Sequence, residues 1–343
     1  MGKPSKLFWD QRSRKLNKKR RKRKYCQVKH SNKNKKRKNN KIHCVPDHIM
    51  ELPEEFSFID NLEKTALFFE KTMNKFKNSM IKSEFLFDAN NVKKATTDAI
   101  MYLIALMRNY KETKKRKYNF YGNYPQDENA KKVFLESGFL NFVRSKNYKL
   151  PENSSKMEIV SGKNSDASSA GNICGFVANK LNLTRMDTIK LYEVIIEMMS
   201  NVYYHAYNDS ETNMVPEWYM YAEYNSNKVK FLFLDTGMGI AKTVQKHTLY
   251  EKVVSKIGFA SESKLISSAL NGDFRTQTLQ ENHGKGLPFI REFANSKRIK
   301  EFNIISGKGY CKIEENGNII TEDLKNNVCG TIYSFWISKE ELI

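Results

Sequence analysis

The sequence predicts an α+β protein made of a disordered basic tail, a small α/β domain and a larger domain with helices over a mostly antiparallel sheet. Residues 1–45 are polar and strongly basic. Over residues 46–150, strand and helix patterns alternate, which favours a small α/β domain with some parallel pairing. Over residues 167–343, a long amphipathic helix is followed by paired strand patterns, and this order is typical of an α+β sandwich.

Length and composition exclude several classes of protein. The 343 residues suffice for two domains of ~100–200 residues each. Apolar residues make up 40% of the chain and aromatic residues 12%, enough for a large core. We expect no membrane span, because no run of 18 apolar residues occurs, and no secretory signal, because the basic N-terminus lacks an apolar segment. Five scattered cysteines favour a reducing compartment, so we expect a cytoplasmic protein.

The positive charge is concentrated in the tail. Residues 1–45 contain 19 Lys and Arg against the single acid Asp10, a charge of +18 out of the total of +21. The runs KKRRKRK (18–24) and KKRK (35–38) have few apolar neighbours, so this segment cannot bury enough surface to fold alone. We interpret it as an arm that binds nucleic acid through phosphates, without sequence specificity. The alternatives are a solvated tail that aids solubility or binds any polyanion, and a segment that binds anionic lipid, which no amphipathic helix supports.

Cysteine and histidine also occur in and just after the tail. Their spacing, Cys-x3-His followed by His-Cys-x3-His, matches no common zinc finger. We therefore interpret the group as coincidental rather than as a zinc site. The residues concerned are Cys26, His30, His43, Cys44 and His48.

The first domain is predicted from four segments. EFLFD (84–88) and KYNFYGN (117–123) have the aromatic, apolar character of strands. The segments 96–110 and 128–139 have apolar residues at helical spacing. Residues 151–166 are rich in Ser, Asn, Lys and Gly, and we expect a linker there.

The second domain begins with helical patterns over 167–182 and to about residue 207. Thr184 and Asp187 form a plausible capping box before the second helix. Its predicted apolar stripe consists of Ile189, Val194, Ile195, Met198 and Val202. Strands are predicted at 217–224 and 228–235, joined by a turn at 225–227, and at 301–307 and 330–337, with further strand candidates around Lys312 and Ile319. Residues 241–283 are polar with helical pieces, and 287–294 is a helix.

A polar stripe on the second helix is the first candidate site. Glu197, Asn201 and His205 are four residues apart, so they lie along one face of the helix. An amide oxygen is a suitable ligand for Mg²⁺, and a carboxylate beside it can activate a nucleophile. The alternative is a polar face exposed to solvent.

Two glycine-containing segments are the next candidates. DTGMGI (235–240) follows an apolar strand, so Asp235 can accept a hydrogen bond from a base amine while Gly237 and Gly239 allow close approach to a flat ring. The alternative is an ordinary turn. NHGKGLPFI (282–290) leads from glycines into a helix, whose first N–H groups suit phosphate oxygens. It is not a Walker loop, because Gly-Lys-Ser/Thr is absent.

The order and spacing of these motifs resemble the nucleotide-binding boxes of the GHKL superfamily of ATPases and kinases, over about residues 165–340. Glu197, Asn201 and His205 resemble the N box, and the pattern is most similar to the anti-sigma-factor serine kinase branch. Asp235, Gly237 and Gly239 resemble the first glycine box, Gly284 and Gly286 the second, and Gly330 with Thr331 the last. Pro288 and Val202 depart from the usual pattern.

The resemblance implies a Bergerat-type α/β sandwich that binds ATP and Mg²⁺. Asn201 would bind the magnesium ion, Glu197 would be the general base, and Asp235 would bind the adenine amine with support from Thr331. The remaining expected contacts are His205, Gly237, Gly239, Gly284, Lys285, Gly286 and Leu287. Residues 241–283 would form a lid, with Arg275 as a further phosphate contact.

The first domain resembles STAS-like domains, which anti-sigma kinases phosphorylate. Thr97 stands where such domains carry a phosphorylated hydroxyl, but its neighbours Thr96 and Ala99 differ from the usual residues, so we expect no phosphorylation. The alternative is that Thr96 or Thr97 caps the helix that follows.

The leading hypothesis is therefore a Mg-ATP-binding protein that hydrolyses ATP or phosphorylates a protein partner, with a homodimer possible. The alternative is a non-catalytic switch, in which ATP opens and closes the lid and the tail delivers the protein to DNA or RNA, or a nucleic-acid-binding regulatory module. We discount a sensor histidine kinase, because no membrane span is expected and no histidine lies in a recognisable helical phosphoacceptor context.

Overall fold

A computed structural model describes most of the chain after the basic tail. The described residues are 46–112, 117–139, 142, 150–151, 154–206, 216–258, 261–274 and 286–339, with the side chain of His205 excepted. The predicted tail, the zinc candidates Cys26, His30, His43 and Cys44, and the expected phosphate contacts Arg275, Gly284 and Lys285 lie outside these residues.

The first part of the chain, from His48 to Glu136, contains a three-stranded parallel sheet, as the alternating pattern predicts. Its strand order is β1-β3-β5, and a short parallel pair, β2-β4, lies beside it. Phe56, Phe69 and Phe76 are fully buried in its core. The elements are β1 (His48–Glu51), β2 (Glu55–Phe56), α1 (Leu62–Asn78), β3 (Lys82–Asp88), β4 (Lys94–Ala95), α2 (Thr97–Glu112), β5 (Lys117–Gly122) and α3 (Glu128–Glu136).

The second part contains a five-stranded antiparallel sheet of order β6-β7-β8-β10-β9. The predicted turn at 225–227 is confirmed, with Ser226 and Asn227 both at positive φ, as a tight two-residue hairpin requires. The separate strand candidates near Lys312 and Ile319 belong to one long hairpin. The strands are β6 (Val160–Gly162), β7 (Trp218–Asn225), β8 (Lys228–Asp235), β9 (Ile299–Ile313) and β10 (Ile319–Ser338).

Helices of the second part cover one face of this sheet. Asp187 Oδ2 accepts hydrogen bonds from the Thr184 N–H at 2.8 Å and hydroxyl at 2.6 Å, so the predicted pair forms. It lies at the 3-10 turn Met186–Thr188, however, and the long helix itself begins at Ile189 without a side-chain cap. Most of the predicted apolar stripe is buried, but Ile189 is 41% exposed because it is the first residue of its helix. The helices are α4 (Ala167–Leu181), α5 (Ile189–His205), α6 (Ile240–Gln245), α7 (Tyr250–Ile257), α8 (Glu262–Asn271) and α9 (Gly286–Ala294).

The opposite face of the five-stranded sheet is also buried, beneath the first part. Along β8, Phe231 and Phe233 point into the core with α5, whereas Leu232 and Leu234 join the core formed by α1 and α2. A strand buried on both faces has a continuous apolar run rather than an alternating one, as KVKFLFLD has. Residues 160–162, within the predicted linker, form the edge strand β6 of this sheet.

His48, the one described zinc candidate, lies on β1, where its Nε2 is 3.0 Å from Ser79 Oγ. Among the described residues, no group of three or more His, Cys, Asp or Glu side chains could hold a metal ion. In the same part of the chain, no helix combines the length and apolarity needed to cross a bilayer.

Candidate nucleotide site

Asp235 is a buried carboxylate at the end of β8. Its Oδ1 accepts a hydrogen bond of 2.7 Å from the Gly237 N–H, and Thr331 lies directly opposite on β10. Burial raises the pKa of Asp235 to about 7, while hydrogen bonds from Gly237 and Thr331 oppose the rise. The sheet thus holds a carboxylate with an unusual pKa in an apolar setting, which is a feature of functional sites.

Ser306, on β9, connects the segments around Asp235. Its Oγ accepts a hydrogen bond of 2.8 Å from the Ile240 N–H and donates one of 3.0 Å to the Gly330 carbonyl. It also lies 3.0 Å from Thr331 Oγ1. The sequence prediction missed Ser306; the signal that could have found it is a polar residue within the apolar strand segment EFNIISG.

Backbone conformation and lack of space explain why glycine occurs at positions 237, 239 and 330. Gly239 has φ +84° and ψ 162°, a region that is essentially limited to glycine, and a Cβ there would lie 2.8 Å from Ser306 Oγ. Gly330 has φ +83°, and its Cβ would collide with the Asp235 carbonyl. A Cβ on Gly237 would collide with Ala206, whose carbonyl accepts a hydrogen bond of 2.8 Å from the Met238 N–H.

Two residues of the polar stripe on α5, Glu197 and Asn201, are wholly or partly buried. Glu197 is buried, and its Oε1 accepts a hydrogen bond of 2.8 Å from the Gly286 N–H at the start of α9. Asn201 is half-buried, and its Nδ2 is buried without a hydrogen-bond partner in the described part of the chain. His205 is the last residue of α5. The alternative of an exposed polar face is therefore wrong for Glu197.

Five elements, namely α5, β8, α6, α9 and β10, meet at one cavity of about 80 Å³. It brings together five of the predicted site residues, namely Asn201, Asp235, Gly239, Leu287 and Thr331. Its other walls are mostly apolar and were not predicted: Met198, Val202, Ala206, Phe233, Ile240, Thr243, Val244 and Tyr333. Burial raises the pKa of Tyr333, and the negative charges of Asp235 and Glu197 raise it further, since both lie near its ring.

The donor set fits a magnesium ion that is held mainly by its substrate. The amide of Asn201 offers one oxygen ligand, while its nitrogen is buried without a hydrogen-bond partner among the described residues. Mg²⁺ commonly takes only one or two protein ligands and completes its shell with phosphate oxygens and water. One amide beside the cavity is therefore compatible with a Mg-nucleotide, whereas a metal site built from protein alone is not.

No protein-family model matches this chain, and no curated protein matches it either. The resemblance to the GHKL superfamily therefore rests on the four sequence motifs.

Proposed function

We propose that the chain binds Mg-ATP at this cavity and hydrolyses it or transfers its γ-phosphoryl group to a protein, as a cytoplasmic member of the GHKL class. One observation supports the proposal above the others. Motifs more than 100 residues apart, at Asn201 on α5 and Thr331 on β10, line the same cavity as the buried carboxylate of Asp235. A cavity with apolar walls and a few convergent polar groups is the usual form of a small-molecule site.

The adenine base would occupy the end of the cavity that contains Asp235. The carboxylate accepts hydrogen bonds, so it suits an exocyclic amine, and the Thr331 hydroxyl beside it can serve a ring nitrogen. The side chains of Met198, Ile240 and Val244 offer apolar surface to the faces of the ring. Because ligand sites are typically ~300–1,000 Å³, a cavity of about 80 Å³ is too small for the whole nucleotide, and the triphosphate would lie outside it.

The triphosphate would extend toward Gly286 and α5. Asn201 would hold Mg²⁺, which when bound offsets the charge that develops on the phosphates. Glu197 would accept a proton from the attacking water or hydroxyl. A carboxylate has about four lone-pair positions, so the hydrogen bond from Gly286 is compatible with this second task.

The first part of the chain would act as a STAS-like regulatory domain. Its parallel sheet flanked by helices supports that architecture. Thr97, however, is only 4% exposed, and the Thr96 carbonyl accepts the first hydrogen bond of α2 from the Ile100 N–H at 3.3 Å. These contacts favour a structural role for both threonines over phosphorylation.

Calorimetric titration with Mg-ATP tests the proposal. We expect saturable binding to the wild type below millimolar nucleotide, and its loss in Asp235→Ala. Absence of binding to the folded wild type at millimolar Mg-ATP would overturn the proposal and its alternative alike.

The alternative is a non-catalytic switch in which ATP changes the shape of the chain without turnover. Phosphate release and phosphoryl transfer, measured on the wild type and on Glu197→Ala, separate the two. An enzyme loses turnover in the variant, whereas a switch has none to lose and keeps its response to nucleotide.

A further inference from the structure

Helix α2 of the first part carries polar side chains along its buried face. Asp98, Tyr102 and Asn109 are spaced by four and seven residues, so they lie on one side of the helix. Each is at most 1% exposed. In an otherwise apolar helix, three buried polar groups on one face need partners across the interface.

Each of the three contacts a residue of the five-stranded sheet or the residue that follows β8. Asp98 forms an ion pair with Lys230 at 3.6 Å. The Tyr102 hydroxyl donates a hydrogen bond of 2.8 Å to the Cys329 carbonyl. The Asn109 amide donates one to the Thr236 hydroxyl. The last two contacts fall on residues adjacent to the candidate nucleotide site.

Thr236 immediately follows Asp235, and the two side chains serve opposite faces of the sheet. Asp235 lines the cavity, whereas Thr236 is fully buried behind it and contacts Asn109. On the facing strand, Cys329 precedes Gly330 and Thr331, and its carbonyl is bound by Tyr102. Helix α2 therefore contacts both strands that present polar groups to the cavity, and it does so from the opposite face of the sheet.

We propose that Asn109, acting through Thr236, is a positioning residue that fixes the Asp235 carboxylate for the base and thereby sets the preference for adenine over guanine nucleotides. This inference rests on the proposed function. A carboxylate selects an exocyclic amine only while its oxygens point at it, and guanine presents a carbonyl at the corresponding ring position. The first part of the chain is then a component of the nucleotide site, not only a neighbour of it.

Affinities for Mg-ATP and Mg-GTP, measured by calorimetry on the full-length chain, test the inference. Asn109→Leu keeps the side-chain size and removes the donor, and Thr236→Val removes the acceptor. Thr236→Ser keeps the hydroxyl and should restore wild-type behaviour. Ser161→Ala is the matched control, because it removes another hydrogen bond between α2 and the sheet, from Arg108 at 3.1 Å, on a strand two positions away from that of Asp235. Thermal unfolding of each variant confirms folding.

A net hydrogen bond corresponds to a factor of roughly 3 to 10, so we expect the ATP-to-GTP affinity ratio to fall by about that factor in Asn109→Leu and Thr236→Val. Thr236→Ser and Ser161→Ala should leave the ratio unchanged. A merely structural role would lower the unfolding temperature with the ratio intact, and that result would overturn the inference. If Asn109→Leu does not fold, the comparison of Thr236→Val with Thr236→Ser tests the inference by itself. A folded wild type that binds neither nucleotide would instead refute the proposed function.

Discussion

The carboxylate of Glu197 accepts a hydrogen bond of 2.8 Å from the main-chain N–H of Gly286, and so joins α5 to the first residue of α9. The first N–H groups of a helix have no partner within it, and Glu197 satisfies one of them. The same residue occupies the position of the general base in the proposed mechanism. Its structural and chemical roles can be separated by two substitutions.

Glu197→Gln should keep the fold and lose turnover. The amide oxygen still accepts the hydrogen bond from Gly286, but it cannot accept a proton from the nucleophile. Glu197→Ala leaves a partly buried N–H without its acceptor, which costs about 1–3 kcal/mol of unfolding free energy. Urea denaturation and phosphate-release assays measure the two effects. Full turnover by Glu197→Gln would exclude this residue as the base.

A second prediction concerns the strained glycine that precedes α6. Gly239→Ala should destabilise the protein by about 1–3 kcal/mol, because its backbone conformation is nearly inaccessible to alanine and its Cβ meets Ser306 Oγ. Gly258→Ala is the matched control, since Gly258 has φ +74° but open space around its Cβ position. Its cost should be smaller, about 1 kcal/mol.

Urea denaturation of both glycine variants gives the comparison. Equal losses would mean that neither the less accessible backbone conformation of Gly239 nor its contact with Ser306 adds to the cost. In the proposed site, Gly239→Ala should also weaken ATP binding, because a displaced Ser306 releases the Ile240 N–H and the Gly330 carbonyl that flank Asp235. Gly258→Ala should leave nucleotide affinity unchanged.

Much of the fold follows from local sequence signals. The hairpin turn at Ser226 and Asn227, the capping pair at Thr184 and the helical stripe around Met198 are contacts between near neighbours, which spacing and residue type can indicate. The cavity residues Asn201 and Asp235 were also predicted, because each lies in a short motif of recognisable order.

Contacts between distant segments could not be predicted in this way. Ser306 binds Ile240 across 66 residues, and Asn109 binds Thr236 across 127. Neither pair leaves a local pattern, because a single serine in a strand or asparagine in a helix has many possible partners. The burial of the sheet's second face beneath α2 was missed for the same reason: continuous apolar strands indicate burial on both faces but not what covers them.

The basic tail should carry the nucleic-acid affinity of the chain. With 19 Lys and Arg in residues 1–45, the wild type should bind duplex DNA with a steep dependence on salt, since each neutralised phosphate contributes about −0.9 to the logarithmic slope. Deletion of residues 1–45 should remove most of this affinity and flatten the slope. A salt series by fluorescence anisotropy measures both. A variant with a scrambled tail of the same composition should bind DNA like the wild type. If the deletion variant binds DNA as tightly as the wild type, residues 1–45 are not the nucleic-acid-binding segment.

The buried carboxylate of Asp235 should make stability depend on pH. Its pKa is about 7 in the folded chain and near 3.8 when unfolded. Between these values, the folded chain holds a proton that the unfolded chain has lost, so the free energy of unfolding should fall as the pH rises from about 4 to about 7. The corresponding loss is at most roughly 4 kcal/mol, and it stays constant above pH 7, where both states are ionised.

Asp235→Asn isolates this effect, because the neutral amide cannot ionise and its oxygen still accepts the Gly237 N–H. Denaturation midpoints of the two proteins should converge near pH 4 and diverge toward pH 7, with the variant more stable at the upper end. Other titrating groups cancel in the difference. A difference that does not vary with pH would mean that Asp235 remains ionised throughout. If the base amine binds the ionised carboxylate, ATP should also lower the pKa of Asp235 and release a proton at pH 6–7, which calorimetry in buffers of different ionisation enthalpy detects.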